Sequence, residues 1–167
     1  MNRKHLAAFC VGLCLVAHQP LCQAQDKPSG LPPAREKYDP SRDPAKDVAA
    51  AVALASKSGK RILLDVGGEW CPWCRKLDKC FAENEKIAAF LRTNFIVVKV
   101  NFSKENQNKG FLSQYPAISG YPFLFVLDSA GKLLESQSTG ELESGDHHDP
   151  GKVLDFLQKW APTRRGL

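Results

Sequence analysis

Two cysteines separated by two residues, in Trp70-Cys71-Pro72-Trp73-Cys74, are the densest piece of chemistry in this sequence. Thiols one helical turn apart can close into a disulfide and reopen with little backbone movement. Proline directly after Cys71 suits the first position of a helix. Cys71 then stands at the helix start, where outward-pointing amides carry about half a unit of positive charge. A thiolate is stabilised there, and its pKa falls below the free value of about 8.5. The chemistry indicated is thiol–disulfide exchange. Three other uses of the pair need weighing. A zinc site needs four ligands, and His147 and His148 are remote in sequence and adjacent to each other. Covalent haem needs a histidine after the second cysteine, where Arg75 stands. A static disulfide across so short a loop gains little from closure. Exchange is the favoured reading, with the static disulfide and a metal site as alternatives. No metal is expected, and no cofactor beyond a redox-active Cys71–Cys74 disulfide.

Other residues carry weaker signals. Asp65 is the lone acid in the apolar run Ile62 to Val66. A carboxyl inside a buried strand is costly without a partner or a task, and one task is to accept a proton during exchange. The alternative is a strand-end acid reaching solvent. Cys80 shares a helical face with Leu77 and Phe81. It lies about 9 Å along the axis from Cys74 at 1.5 Å per residue, beyond direct bridging, and is expected as a buried apolar thiol. Trp70 is expected to pack locally and Trp73 to offer an exposed apolar surface. His147 and His148 fall in Glu143 to Pro150, expected as a solvated loop.

The elements around these residues follow from periodicity and punctuation. Asp43-Pro44 reads as a cap followed by proline, opening an alanine-rich helix over residues 45–58 that Gly59 closes. Ile62 to Val66 is a buried strand broken by Gly67-Gly68. A helix runs from Pro72, and Asn84 caps a second helical piece carrying Ile87, Ala88, Phe90 and Leu91. Phe95 to Val100 is almost continuously apolar, as in a sheet covered on both faces. Lys104 to Gln114 is a short helix or loop. Strands at Phe123 to Leu127 and Lys132 to Ser138 flank the turn Asp128 to Gly131 and form a hairpin. Asp149-Pro150 opens a last helix with Val153, Leu154, Leu157 and Trp160 on its apolar side.

The chain has 167 residues, a net charge of +5, 43% apolar and 25% charged residues, which suits one globular domain with short extras. The charge is too small and too evenly spread for a nucleic-acid groove, and no nucleic-acid partner is expected. Arg3 and Lys4, the apolar stretch Leu6 to Ala17 and Cys22-Gln23-Ala24 fit a cleaved signal peptide over residues 1–24. Residues 25–44 hold five prolines among polar residues and read as a surface arm. Residues 45–161 form the domain and 162–167 a tail. Three of the six cysteines leave with the signal. The odd number that remains argues against a purely structural disulfide framework in an oxidising compartment.

The stretches Ile62 to Lys76 and Ile118 to Phe125 resemble the active-site and cis-proline segments of the thioredoxin superfamily. The resemblance covers residues 45–161. Within it, Trp70-Cys71-x-x-Cys74-x-x-Leu77-Asp78 looks most like small exported bacterial thioredoxin-like proteins. It implies an α/β thioredoxin fold, a central mixed sheet of about four to five strands flanked by helices on both faces. It implies Cys71 as the exposed nucleophile, Cys74 as the more buried resolving thiol, Asp65 as the acid beneath them and Lys99 as a supporting lysine. It also implies a cis peptide before Pro122 that turns Tyr121 toward the cysteines. Trp70, Pro72, Trp73, Tyr121 and Pro122 then form the substrate-binding set. Two departures stand out. Pro72-Trp73 replaces the glycine and proline of ordinary thioredoxin, and Gly67 stands where thioredoxin carries an aromatic residue.

The function expected from this resemblance is thiol–disulfide exchange on protein disulfides outside the cytoplasm, in the periplasm or secreted. It would be carried out by a monomer in the reductase or isomerase direction. That direction requires an electron donor, a membrane reductase or a soluble thiol. The rivals are a net disulfide oxidase, a non-catalytic binding module using the Pro122 groove, and maturation of copper or haem apoproteins.

Overall fold

A computed structural model describes residues 37–163. The expected signal segment, the arm as far as residue 36 and residues 164–167 lie outside the described residues. Helix α1 (Pro44–Ser58) starts where the Asp43 carboxylate accepts hydrogen bonds from the amides of Ala45 and Lys46. It stops at Gly59, whose φ of 68° a side-chain-bearing residue adopts only with strain. There follow β1 (Arg61–Gly67), α2 (Pro72–Glu83), α3 (Glu85–Asn94), β2 (Phe95–Asn101) and a single turn, α4 (Lys109–Leu112). The chain then forms β3 (Phe123–Leu127), β4 (Leu133–Ser138), a 3-10 turn over Thr139–Leu142, β5 (Glu143–Ser144), β6 (His147–His148) and α5 (Pro150–Lys159).

The central sheet has four strands in the order β2-β1-β3-β4. Strand β1 runs parallel to β2 and antiparallel to β3, and β3 to β4 is the expected hairpin. Alternation along β1 assigns its side chains to two cores. Ile62, Leu64 and Val66 join Ala51 and Ala55 of α1, Val98 and Phe125 on one face. Leu63 joins Leu77, Ile87, Leu91, Leu124 and Leu157 on the other, beneath α2, α3 and α5. Asp65 points to this second face and stands opposite Lys99 of β2. A mixed sheet with helices on both faces is the arrangement expected from the sequence.

Two segments differ from expectation, and both lie near the cysteines. The end of the arm is not confined to the surface. Tyr38 is only 4% exposed and packs against Cys71 and Cys74. The arm is held there by the Tyr38 amide on Glu69 Oε1 at 2.9 Å and by Asn106 Nδ2 on the Pro40 carbonyl at 2.9 Å. The segment before α5 is not a solvated loop. Leu142 anchors it in the core, and β5 and β6 pair Glu143 with His148 and Ser144 with His147 in a small antiparallel ribbon. The Lys76 ammonium on α2 donates to the Asp146 carbonyl and ties the ribbon to that helix. His147 is exposed as expected, but His148 is buried.

Candidate active site

The turn from β1 to α2 places the two cysteines. Gly67 O accepts from the Phe102 amide at 2.6 Å, and Gly68 O from the Cys71 amide at 3.0 Å, which fixes the bend. Cys71 is the N-cap of α2, with extended backbone, and Pro72 fills the first helical position. Its sulfur accepts a hydrogen bond from the Cys74 amide at 3.1 Å. The first turn of α2 carries no acidic side chain, so nothing there competes with sulfur for the amide dipoles. Cys71 and Cys74 are joined in a disulfide with their Cα atoms 5.3 Å apart. The expected contrast between an exposed first sulfur and a covered second is slight: Cys71 is 3% exposed and Cys74 1%. Tyr38, Trp73 and Tyr121 packed around the pair account for that covering.

The peptide between Tyr121 and Pro122 is cis. The Tyr121 carbonyl lies 3.6 Å from the Cys71 sulfur, and the Pro122 carbonyl accepts from Thr139 Oγ1 at 2.6 Å. The Tyr121 ring stacks on Phe102 at 4.7 Å and meets the edge of Trp70 at 5.7 Å. Trp70 packs locally as expected, but it and not Trp73 is the more open of the two tryptophans. Trp70 touches Tyr121 and satisfies its indole N–H on the Phe102 carbonyl at 2.6 Å, yet it stays 54% exposed. Trp73 is half-buried between the disulfide, the His148 ring and the Lys76 ammonium, which lies 4.2 Å over its ring. The ribbon supplies that cover, so Trp70 rather than Trp73 offers the open apolar surface beside the cysteines.

Beneath the pair lies a buried charge cluster. Asp65 is 0% exposed, which removes the reading of a strand-end acid in solvent. Its Oδ2 accepts from Lys99 Nζ at 3.0 Å, and its Oδ1 from the Tyr38 hydroxyl at 2.7 Å. Lys99 also donates to Asp78 Oδ1 at 2.5 Å and lies 4.0 Å over the Tyr38 ring. Burial opposes the Lys99 charge, but the two carboxylates outweigh it and raise its pKa. Asp78 is pushed up to about 6, first by burial and then by the Asp65 charge, because one ammonium serves two acids. Burial and then Asp65 hold the Tyr38 phenol well above its ordinary value, so it stays protonated.

The sequence reading gave no role to Tyr38 or Asp78. Asp78 could have been found from its place four residues after Cys74, on the same helical face. Tyr38 had one signal, the vacancy at Gly67. A Cβ built there would lie 2.5 Å from the Cys74 sulfur and 3.0 Å from the Tyr38 hydroxyl. The space that a side chain at 67 would enter is filled from the arm.

Two further groups border the site. His148 is 2% exposed, and neither ring nitrogen has a hydrogen-bond partner among the described residues. Burial lowers its pKa to about 4, so the ring is neutral at pH 7. Cys80 is a free, half-buried thiol packed against the core under α2, and burial raises its pKa. Among the described residues no group of three or more His, Cys, Asp or Glu side chains could hold a metal ion. Among them, too, no helix is long and apolar enough to cross a membrane.

The sequence profile of a family described as thioredoxin-like matches residues 43–129. DsbH of Chlamydia pneumoniae, a disulfide bond reductase, is 26% identical over 136 residues, 72% of this chain and 78% of that protein. DsbD of Actinobacillus pleuropneumoniae, a thiol:disulfide interchange protein, is 26% identical over 92 residues. That match takes in 54% of this chain and spans 16% of DsbD. A solved disulphide isomerase from Xylella fastidiosa superposes with a TM-score of 0.65 at 31% identity, covering 73% of this chain and 94% of that one.

Proposed function

We propose a direction and a place of work for this chain, which belongs to the thioredoxin-like family and is a thiol–disulfide oxidoreductase: it reduces or isomerises disulfides of protein substrates outside the cytoplasm. The observation that carries the direction is the charge beneath the pair. Asp65 and Asp78 share one ammonium, that of Lys99. This anionic surplus works against a thiolate above it and so against the reduced state. A dithiol whose reduced state is not stabilised is a good electron donor; the strong oxidants of this chemistry are those whose reduced form is stabilised. The disulfide bond reductase among the relatives supports the same direction. The basic start, apolar stretch and small-residue site in residues 1–24 support export.

The reaction follows from the geometry. The Cys71 thiolate, held by the Cys74 amide, attacks a substrate disulfide and forms a mixed disulfide. Cys74 then attacks Cys71 and releases the substrate thiol. An extended substrate segment lies along the Tyr121–Pro122 backbone and against the open face of Trp70, with Pro72 and Trp73 bordering it. Re-reduction requires a thiol donor, membrane-bound or soluble. The test is the reduction potential together with insulin reduction. The expected potential lies below about −200 mV, and Cys71→Ser abolishes insulin reduction. A potential well above that value would end the reductase reading. Equal activity in the Ser variant would favour the binding-module rival.

A further inference from the structure

Tyr38 lies outside the family-matched segment, yet its ring packs on both cysteines and its hydroxyl reaches Asp65. Both oxygens of Asp65 already have donors, Lys99 on one and Tyr38 on the other. The tyrosine hydroxyl, already bonded to Oδ1, offers a proton a hydrogen-bonded path to that oxygen. The Cys74 sulfur and that hydroxyl border the same small space over Gly67. A phenol is both donor and acceptor, so it can take one proton while giving another and never become a phenolate. We infer that Tyr38 is a catalytic proton relay: in the resolving step it accepts the proton of Cys74 as it passes its own to Asp65. The N-terminal arm thereby completes the active site.

This rests on the proposed role of Cys74 as the resolving thiol. The step balances as follows. The Cys74 S–H proton moves to the Tyr38 oxygen, and the Tyr38 proton moves to Asp65 Oδ1. The Cys74 sulfur bonds to the Cys71 sulfur as the bond from Cys71 to the substrate breaks. The substrate sulfur leaves as a thiolate carrying the electron pair, and the dithiol has been oxidised by two electrons. Asp65 later returns the proton to solvent or product.

The two half-reactions can be separated with 5,5′-dithiobis(2-nitrobenzoate), which releases one chromophore on attack by Cys71 and a second on resolution by Cys74. Tyr38→Phe is expected to leave attack within about twofold of wild type and to slow resolution at least about a hundredfold, the low end of proton-transfer catalysis. The Tyr38→Phe/Asp65→Asn double variant should be no slower than the slower single, since both remove one path. Resolution at the wild-type rate in Tyr38→Phe would overturn the relay and leave the oxidoreductase reading intact. Equal slowing of both steps would also overturn it, because a merely structural tyrosine acts that way. A wild-type protein releasing neither chromophore would overturn the exchange chemistry on which the relay depends. A measurement on the unmutated protein decides the matter should the variant not fold. In mixtures of light and heavy water, the resolving rate should curve with deuterium fraction, as two protons in flight require; a straight line would overturn the relay.

Discussion

The arm and the ribbon approach the disulfide from different parts of the chain, and each delivers one buried polar ring. Tyr38 is satisfied: its hydroxyl donates to Asp65 at 2.7 Å, and its ring faces the Lys99 ammonium. His148 is not. It meets the edge of Trp73 at 5.4 Å between ring centres, with both nitrogens unpaired. Neither residue falls within the family-matched segment 43–129. The difference shows how accessory pieces can serve one site in opposite ways. A paired polar group adds to stability and gives the site a proton path. An unpaired one survives by staying neutral, so its contribution depends on pH.

The largest separation of the two comes from truncation. Tyr38→Ala removes a buried ring and leaves Asp65 Oδ1 without its donor, and should destabilise the oxidised protein by about 3–5 kcal/mol in urea unfolding at pH 7. His148→Phe keeps the ring and removes the unpaired nitrogens, and should change stability at pH 7 by less than about 1 kcal/mol.

A pH series sharpens the contrast. The His148 pKa is lowered on folding from 6.5 to about 4, so the unfolded chain takes up the proton first. Its contribution is present above pH 6.5 and lost as the pH falls toward 4, about 3 kcal/mol at about 1.4 kcal/mol per pKa unit. The loss should be absent from His148→Phe when the two proteins are unfolded in parallel. A wild type and variant that lose stability in step would show that the ring is already hydrated.

The smallest effect tests the cluster beneath Tyr38 and has the opposite sign. Asp78 is raised from 3.8 to about 6 on folding, so its contribution is present below pH 3.8 and lost as the pH rises to 6. Its side chain is 30% exposed, and solvent screening reduces the expected effect to about 1 kcal/mol. Asp78→Asn should remove that loss. An unchanged pH profile in the variant would show that Lys99 alone neutralises both acids.

Much of the scaffold was legible because its signals are local. Asp43-Pro44 with Gly59, Asn84 before α3, and Asp149-Pro150 each mark a boundary through one turn of backbone, and the structure places boundaries at all of them. Cys71-Pro72 was legible for the same reason. Asp65 could be read because an acid in an apolar strand contradicts its surroundings. Tyr38 was not, since a proline-rich arm has no periodicity and its contact depends on a glycine far along the chain. The cover on Trp73 was also hidden, because it comes from a ribbon whose two strands have only two residues each.

Among the described residues three helices begin with the same device, a capping side chain followed by proline, and in two of them the cap is a carboxylate. In α2 the same position holds a sulfur. The amides of Lys152 and Gly151 hold the Asp149 carboxyl below its ordinary range, so that cap keeps its charge throughout, whereas Cys71 bears one only in the dithiol state. Helix ends gain about 0.3–1 kcal/mol from such an anion. The front of α2 is thus gripped firmly in the dithiol state and slackens when the disulfide closes, so each catalytic cycle loosens and retightens one end of the scaffold that carries it.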